Sequence, residues 1–285
     1  MSRTATPLDL DGVHALFVRW AEDVDEPPLP YESLQAEWRA PGFDPAGDHW
    51  VEVENGEVVG YAALKANGGV VARGEPSGLL PLALERARER GDSALDAILT
   101  TRDERGLEAY LAAGFRRVRD VHRMFLELGD DLPTPSFPPD VVVRAYDDAD
   151  ARPLHAFVEL AYAQNNERIE PFDAWLNFMT AHGDFDPGLW HLVEADGAIV
   201  GCCLTWAPFE GRGWIKDLAV HPGHRRRGLG EALLHHAHRT YRDHGIERVG
   251  LKVDSDNPTA AGRLYERLGY RTDRVYAVLE RELKP

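Results

Sequence analysis

The stretch "VHPGHRRRGLGEALL", Val220 to Leu234, places Arg225, Arg226 and Arg227 directly before Gly228, Leu229, Gly230 and Glu231 in a chain whose formal net charge is −16. Residue types in this order suit anion binding. The first-turn N–H groups of a helix are free and carry the positive end of its dipole. Glycines let the backbone approach a ligand closely, and arginines add charge, which together fit a pyrophosphate. Two common phosphate motifs are excluded by detail. "GHRRRGLG" has the glycine spacing of a P-loop without its lysine, and Leu233 stands where a dinucleotide fingerprint needs a small residue.

The turn needs a strand before it and a helix after it. "GWIKDLAV" (213–220) reads as the strand and Gly228 to His244 as the helix. Next come a strand "IERVGLKV", a helix from Pro258 to Leu268 and a final strand "RVYAVLEREL". Upstream, "DVVVRAY" reads as a strand, and "DARPLHAFVELAYAQ" and "FDAWLNFMTAH" as amphipathic helices. This is a mixed α/β domain with α-helices flanking a mixed sheet.

The same order of elements occurs twice. "HWVEVENGEVVGYAAL" and "LWHLVEADGAIVGCCL" are both hairpins with Asn-Gly or Asp-Gly turns. "GLEAYLAAGFRRVRD" and "AGRLYERLGYRTDRV" are both helices that stop at a glycine and enter a strand. The second copy is longer between hairpin and last helix, and the extra length is expected in the arginine–glycine turn, which the first copy lacks. "GDDLPTPSFPPD" reads as a linker. The expected domains are 1–128, a linker over 129–138, and 139–285.

Composition narrows the function. With 285 residues and 44% apolar content the chain can bury two cores. Its acidity argues against nucleic acid or an anionic membrane as partner. No run of 18 apolar residues and no basic-then-apolar start is present, so a cytoplasmic location is expected. Cys202 and Cys203 are adjacent in a strand, pointing to opposite faces, and read as strand filler.

Arg225, Gly228 and Gly230, following "DLAVHP", closely resemble the acetyl-CoA pyrophosphate loop of the GNAT N-acetyltransferase superfamily, and "LKVDSDNPTAAGRLYERLGY" resembles the segment that completes its cofactor cleft. The resemblance covers about Asp140 to Leu283. The first copy resembles the same fold with the loop deleted, so two tandem GNAT-like domains are expected, the first degenerate, in an arrangement similar to mycothiol synthase relatives. In that pattern an acidic residue stands near the place of Trp214. The resemblance implies an acetyl-CoA-dependent N-acetyltransferase acting by direct transfer in a ternary complex on a small-molecule or peptide amine. It implies acetyl-CoA on the amides of Arg227 to Glu231, pantetheine along Leu218, Ala219 and Val220, and no metal. A non-catalytic acyl-CoA-binding or regulatory module is the alternative.

Thioester aminolysis also needs a proton for the departing thiolate and a neutral amine. The family's acid is a tyrosine on the last helix, which matches Tyr265, whereas the i, i+3, i+4, i+7 spacing of Ala261, Leu264, Tyr265 and Leu268 also fits simple core packing. Asn257 reads as a helix cap and, by resemblance, as a pantetheine contact. Asp217 is the candidate base. An ion pair with Lys216 is not expected, because neighbouring strand residues face opposite ways. His235, His236 and His238 read as a solvated helix face. By resemblance the acceptor enters near Glu167, Glu170 and Asp173, whose charge favours a cationic amine.

Overall fold

The structure, a computed structural model, describes residues 1–38, 45–65, 68–163, 171–180, 185–209, 211–257 and 259–283. In chain order its elements are β1 (Ser2–Thr4), α1 (Leu10–Asp23), α2 (Tyr31–Trp38), α3 (Pro45–Asp48), β2 (His49–Glu54), β3 (Glu57–Leu64), β4 (Val70–Gly74), α4 (Leu80–Arg90), β5 (Ala94–Thr100), α5 (Glu104–Ala112) and β6 (Arg116–Glu127). They continue with β7 (Val142–Ala145), α6 (Ala151–Tyr162), α7 (Phe172–Thr180), β8 (His191–Ala195), β9 (Ala198–Phe209), β10 (Arg212–Val220), α8 (Leu229–Asp243), β11 (Arg248–Asp254), α9 (Ala261–Arg267) and β12 (Arg271–Glu282). Among the described residues no helix is long and apolar enough to cross a membrane.

Two compact units form, and they do not follow chain order. One comprises Met1–Val121 with Arg274–Pro285, the other His122–Asp273. The contiguous limits expected from sequence, 1–128 and 139–285, therefore differ from the observed units by an exchange of strand segments. In the first unit the last strand of the chain pairs antiparallel with β5, from Tyr276↔Thr100 to Glu282↔Ala94. In the second, the end of β6 lies beside β11. Strand pairing is non-local, so nothing in the local pattern of either segment marks it. The proline-rich stretch read as a linker packs onto the second unit: Leu132 and Phe137 lie against its core, and Arg239 donates to the Leu132 carbonyl at 3.0 Å.

The duplication is visible in detail. Both hairpins turn through two positive-φ residues, Asn55 and Gly56 in one and Asp196 and Gly197 in the other, the conformation that matches strand twist. Each copy also opens with an arginine clamped to an aspartate six residues later, Arg3–Asp9 and Arg144–Asp150, both at 2.6 Å. The aspartate accepts as well from the N–H of Thr6 or Asp147 at 2.8 Å, which ties strand to helix start. Arg3 holds the Asp9 carboxyl down at about 2, against burial that raises it. Because the folded value is depressed, this contribution to stability is complete above the ordinary carboxyl range near 4 and is lost as pH falls towards 2. Thermal melts of Asp9→Asn should therefore lie below wild type at pH 6 and converge with it as pH approaches 2; a constant gap would contradict the clamp.

The second unit orders its sheet β6–β11–β10–β9–β8–β7. One face packs on α8, α9 and the core containing Ile215, Leu233, Tyr241 and Tyr265. The other packs on α6 and α7 through Leu154, Val158, Trp175 and Ala219. Cys203 lies in the first of these clusters and Cys202 in the second, both fully buried and free, as strand alternation requires. The extra length of the second copy is spread rather than concentrated. β9 has twelve residues against eight in β3, β10 nine against five, and α8 fifteen against eleven. Only part of it lies in the turn between β10 and α8.

Candidate active site

β10 and β11 are parallel neighbours whose register runs only from Arg212↔Arg248 to Ile215↔Leu251. Beyond it β10 continues to Val220 and β11 to Asp254, so the strands splay and leave a cleft at their carboxyl ends, where open α/β sheets bind ligands. The chain then enters α8 through a turn built for a free helix start. His221 Nδ1 accepts from the Gly223 N–H at 3.1 Å, Arg226 takes φ +62°, and Gly228 caps the helix at φ +82° with no side chain to offer. Ala232 donates the first helical bond, to the Gly228 carbonyl at 2.9 Å, which leaves the amides of Leu229, Gly230 and Glu231 without an intrahelical partner. A Cβ built on Gly230 would lie 3.6 Å from Leu264, 3.9 Å from Val220 and 4.0 Å from Leu218. The turn, the end of β10 and α9 thus meet around that glycine.

The three arginines divide. Arg225 folds back, Nε donating to the Val220 carbonyl at 3.1 Å and Nη2 to the Ala161 carbonyl at 3.3 Å, which fastens the turn to α6. Arg227 pairs with Asp140 at 2.5 Å. Arg226 is exposed, with no hydrogen bond or ion pair among the described residues. Among the described residues Arg226 is thus the one arginine of the three left unpaired, and the Glu231 carboxylate pairs with Arg267 at 2.7 Å.

At the other side of the cleft stands Tyr265, 6% exposed on α9. Its ring packs in the core, as its helical spacing suggests, yet its hydroxyl makes no hydrogen bond among the described residues. Burial, then the neighbouring Cys203 and Asp217, push its pKa up from 10, so it stays protonated well into the basic range. The first copy differs at the matching place: the Tyr110 hydroxyl donates to the Val70 carbonyl at 3.1 Å. There β4 and β5 meet, among the described residues, through the isolated parallel bridge Gly69↔Asp96. Arg73 lies 4.2 Å over the Trp20 ring, and Trp20 Nε1 donates to Asp103 at 2.8 Å. Between β4 and α4 a short turn over Pro76–Gly78 replaces the glycine-spaced one, and Pro81 stands in the first turn of α4.

Asp217 is 8% exposed, and Lys216 Nζ reaches its carboxylate at 3.4 Å. Sequence alternation argued against this pair, and a β-bulge between Ile215 and Asp217 explains it. Ile215 and Leu218 pack on the α8 face although three residues apart, so one residue between them is extra and two successive side chains share the opposite face. Asn257 also departs from expectation. α9 begins at Ala261 with Ala260 as its cap, and Asn257 Oδ1 accepts instead from the Thr259 N–H at 2.9 Å, closing the loop before the helix. Pro258 lies outside the described residues.

The histidines are not a solvated face. His238 is buried and 2.8 Å from the Tyr270 hydroxyl; His236 stacks edge-on to buried His191 at 4.4 Å; His235 lies 3.9 Å from Glu231. Three histidines within one turn and a half cannot all face water on a helix that packs against a sheet. Among the described residues no group of three His, Cys, Asp or Glu could hold a metal ion. Glu167 and Glu170 lie outside the described residues, while Asp173 sits in the first turn of α7. Sequence reasoning did not reveal an aromatic cluster on α7 and β9. Phe178 on α7, 50% exposed, meets Trp206 edge-on at 5.7 Å, with Lys216 Nζ 5.9 Å from its ring.

Comparison with known proteins agrees with this geometry. The family model of the acetyltransferase (GNAT) family matches residues 152–270. A mycothiol acetyltransferase of Thermobispora bispora is 32% identical over 93% of this chain and 93% of its own. The chain belongs to the GNAT acetyltransferase family. Another mycothiol acetyltransferase, from Streptomyces coelicolor, is 29% identical over 95% of this chain and 92% of its own. A GCN5-related N-acetyltransferase from Sphaerobacter thermophilus superposes with TM-score 0.81 at 26% identity, covering 100% of this chain and 96% of its own. A tandem GNAT protein from the clavulanic acid biosynthesis pathway shares the fold, with TM-score 0.72 at 16% identity over 99% of this chain and 97% of its own. This GNAT chain is accordingly an N-acetyltransferase with a tandem fold, and acetyl-CoA is the acetyl donor of its family.

Proposed function

We propose that the second unit binds acetyl-CoA in the β10/β11 cleft and transfers its acetyl group directly to a small-molecule amine in a ternary complex. The observation that carries this is the opening of the two parallel strands after Ile215↔Leu251, beside helix amides without an intrahelical partner and a Tyr265 hydroxyl with no hydrogen bond among the described residues. The pyrophosphate sits on the amides of Leu229, Gly230 and Glu231, and pantetheine runs along Leu218 to Val220. The amine nitrogen forms its bond to the thioester carbonyl carbon as the carbon–sulfur bond breaks. The amine cation first competes with Lys216 for the Asp217 carboxylate, which takes one proton to free the nucleophile; Tyr265 then gives its proton to the leaving thiolate and regains the proton that the acetylated nitrogen sheds.

The acceptor approaches over α7, where Phe178 and Trp206 offer ring faces and edges to the body of the amine. Relatives named mycothiol acetyltransferase support a small-molecule acceptor. Trp214, standing where that pattern carries an acid, favours an acceptor with an apolar or ring-shaped body at that point. The test is a screen of amines for thiol release from acetyl-CoA, followed by the mass of the product. A gain of one acetyl group on an amine supports the reading, and thiol release without acetylated amine contradicts it.

The first unit is proposed to be degenerate, because it lacks the glycine-spaced turn, Arg73 lies over Trp20, Trp20 is bonded to Asp103, and Tyr110 is tied to the main chain. Calorimetric titration of the full chain should therefore give one acetyl-CoA per chain. Two equivalent sites would contradict it. The full chain is required, since a 1–128 fragment lacks the strand that pairs with β5.

A further inference from the structure

Tyr265 is backed by a second tyrosine. Tyr270, wholly buried just before β12, sets its ring 5.7 Å from that of Tyr265 at 62°, and its hydroxyl lies 2.8 Å from His238 Nε2 on α8. His238 is 2% exposed, and burial, with His235 adding to it, pulls its pKa down to about 4, so the imidazole is neutral at working pH. One hydrogen bond thus ties α8 to the ring packed edge-on against that of Tyr265.

The first copy supplies an internal control. Gly91 and Gly245 close corresponding helices at φ +77° and +76°, and the residue seven before each is Leu84 in one copy and His238 in the other. Gly114 and Gly269 close the last helices, and the residue after each is Phe115 or Tyr270. Leu84 and Phe115 belong to one apolar core, and Phe115 meets Tyr110 edge-on at 5.1 Å just as Tyr270 meets Tyr265. The same architecture therefore packs at these two places without polar atoms. A buried hydrogen-bonded pair brings little net stability over well-packed apolar residues of similar size, so stability does not account for the polar pair. What distinguishes the two copies is that the tyrosine beside the polar pair has a hydroxyl with no hydrogen bond among the described residues, whereas the one beside the apolar pair is bonded to the main chain.

We propose that His238 and Tyr270 are positioning residues for acetyl transfer: their hydrogen bond pins the Tyr270 ring, which holds the Tyr265 hydroxyl at the departing sulfur. This rests on the assignment of Tyr265 as the acid. Outer partners that orient metal ligands change activity by about 10- to 100-fold, and an effect of that order is expected of this positioning pair, with ground-state binding, made elsewhere, unchanged.

The experiment is steady-state kinetics, acetyl-CoA calorimetry and thermal melting on full-length Tyr270→Phe, the double variant His238→Leu/Tyr270→Phe, Tyr265→Phe, and Tyr265→Phe/Tyr270→Phe. The double variant restores the leucine and phenylalanine that already pack in the first copy, so it keeps the test open if Tyr270→Phe alone folds poorly. Expected are a drop in kcat of about ten-fold or more for Tyr270→Phe and the double variant, acceptor KM and acetyl-CoA affinity unchanged, and no further loss when Tyr270→Phe is added to Tyr265→Phe. Wild-type kcat in folded Tyr270→Phe or double-variant enzyme, beside a slow Tyr265→Phe enzyme, overturns the positioning role alone. So does an equal loss from Tyr270→Phe in the Tyr265→Phe background. A Tyr265→Phe enzyme as fast as wild type overturns the acid assignment itself.

Discussion

Replacing Gly228 and Gly230 together by valine is expected to abolish measurable acetyl-CoA binding while leaving the circular dichroism spectrum and the melting cooperativity intact. Gly228 holds φ +82°, a conformation that costs an L-residue about 1–2 kcal/mol and a β-branched one more. A side chain there shifts the cap and redirects the amides that follow it. At Gly230 a first carbon fits, with its nearest neighbour at 3.6 Å, but two further methyls enter the gap among Leu218, Val220 and Leu264. Hydrogen bonds to a charged group are worth about 1.5–3 kcal/mol each. Losing two amides to the pyrophosphate lowers affinity by about 10²- to 10⁴-fold, since 1.4 kcal/mol is tenfold. Isothermal titration of the folded variant tests this; wild-type affinity would place the pyrophosphate elsewhere. Arg226→Ala should matter less, because the amides carry the site and one exposed arginine adds a screened charge.

Tyr265→Phe is expected to lower kcat by about 10²- to 10⁴-fold, the usual contribution of a positioned acid, with acetyl-CoA affinity unchanged. Phenylalanine keeps the ring in its packing against Tyr270 and removes only the hydroxyl, which makes no hydrogen bond among the described residues. Folding stability should therefore be near wild type, and the loss separates from any packing defect. The pH dependence has a definite sign. Burial raises the Tyr265 pKa, so the proton-donating form persists as pH rises through the ordinary tyrosine range near 10. A basic limb in kcat that begins below pH 9 must come from another group. A Phe variant within a few-fold of wild type would remove Tyr265 from the chemistry.

Much of this was legible in the sequence because it is local. The positive-φ Asn-Gly and Asp-Gly turns, the glycine-spaced entry into α8 and the helical spacing around Tyr265 are all written within a few residues of themselves. What escaped is non-local or irregular. The exchange of strand segments depends on pairing between residues such as Tyr276 and Thr100, far apart in the chain. The Lys216–Asp217 pair depends on a bulge, which strict alternation cannot express. Arg225 looked like a phosphate ligand by type and position, yet two carbonyls in reach claim it. Two signals were present and could have been read from the duplication itself: the Arg-to-Asp clamp six residues long in both copies, and the replacement of Leu84 and Phe115 by His238 and Tyr270. Comparing copies for chemical differences, as well as for length, would have exposed the latter.

The most direct measurement is a crystal structure of the full chain with coenzyme A. The account predicts one molecule per chain, its pyrophosphate within hydrogen-bond distance of the amides of Leu229, Gly230 and Glu231, its pantetheine beside Leu218 to Val220, and its sulfur next to the Tyr265 hydroxyl. Coenzyme A bound among Trp20, Arg73 and Tyr110 in the first unit, or bound at the turn with its sulfur remote from Tyr265, would contradict it.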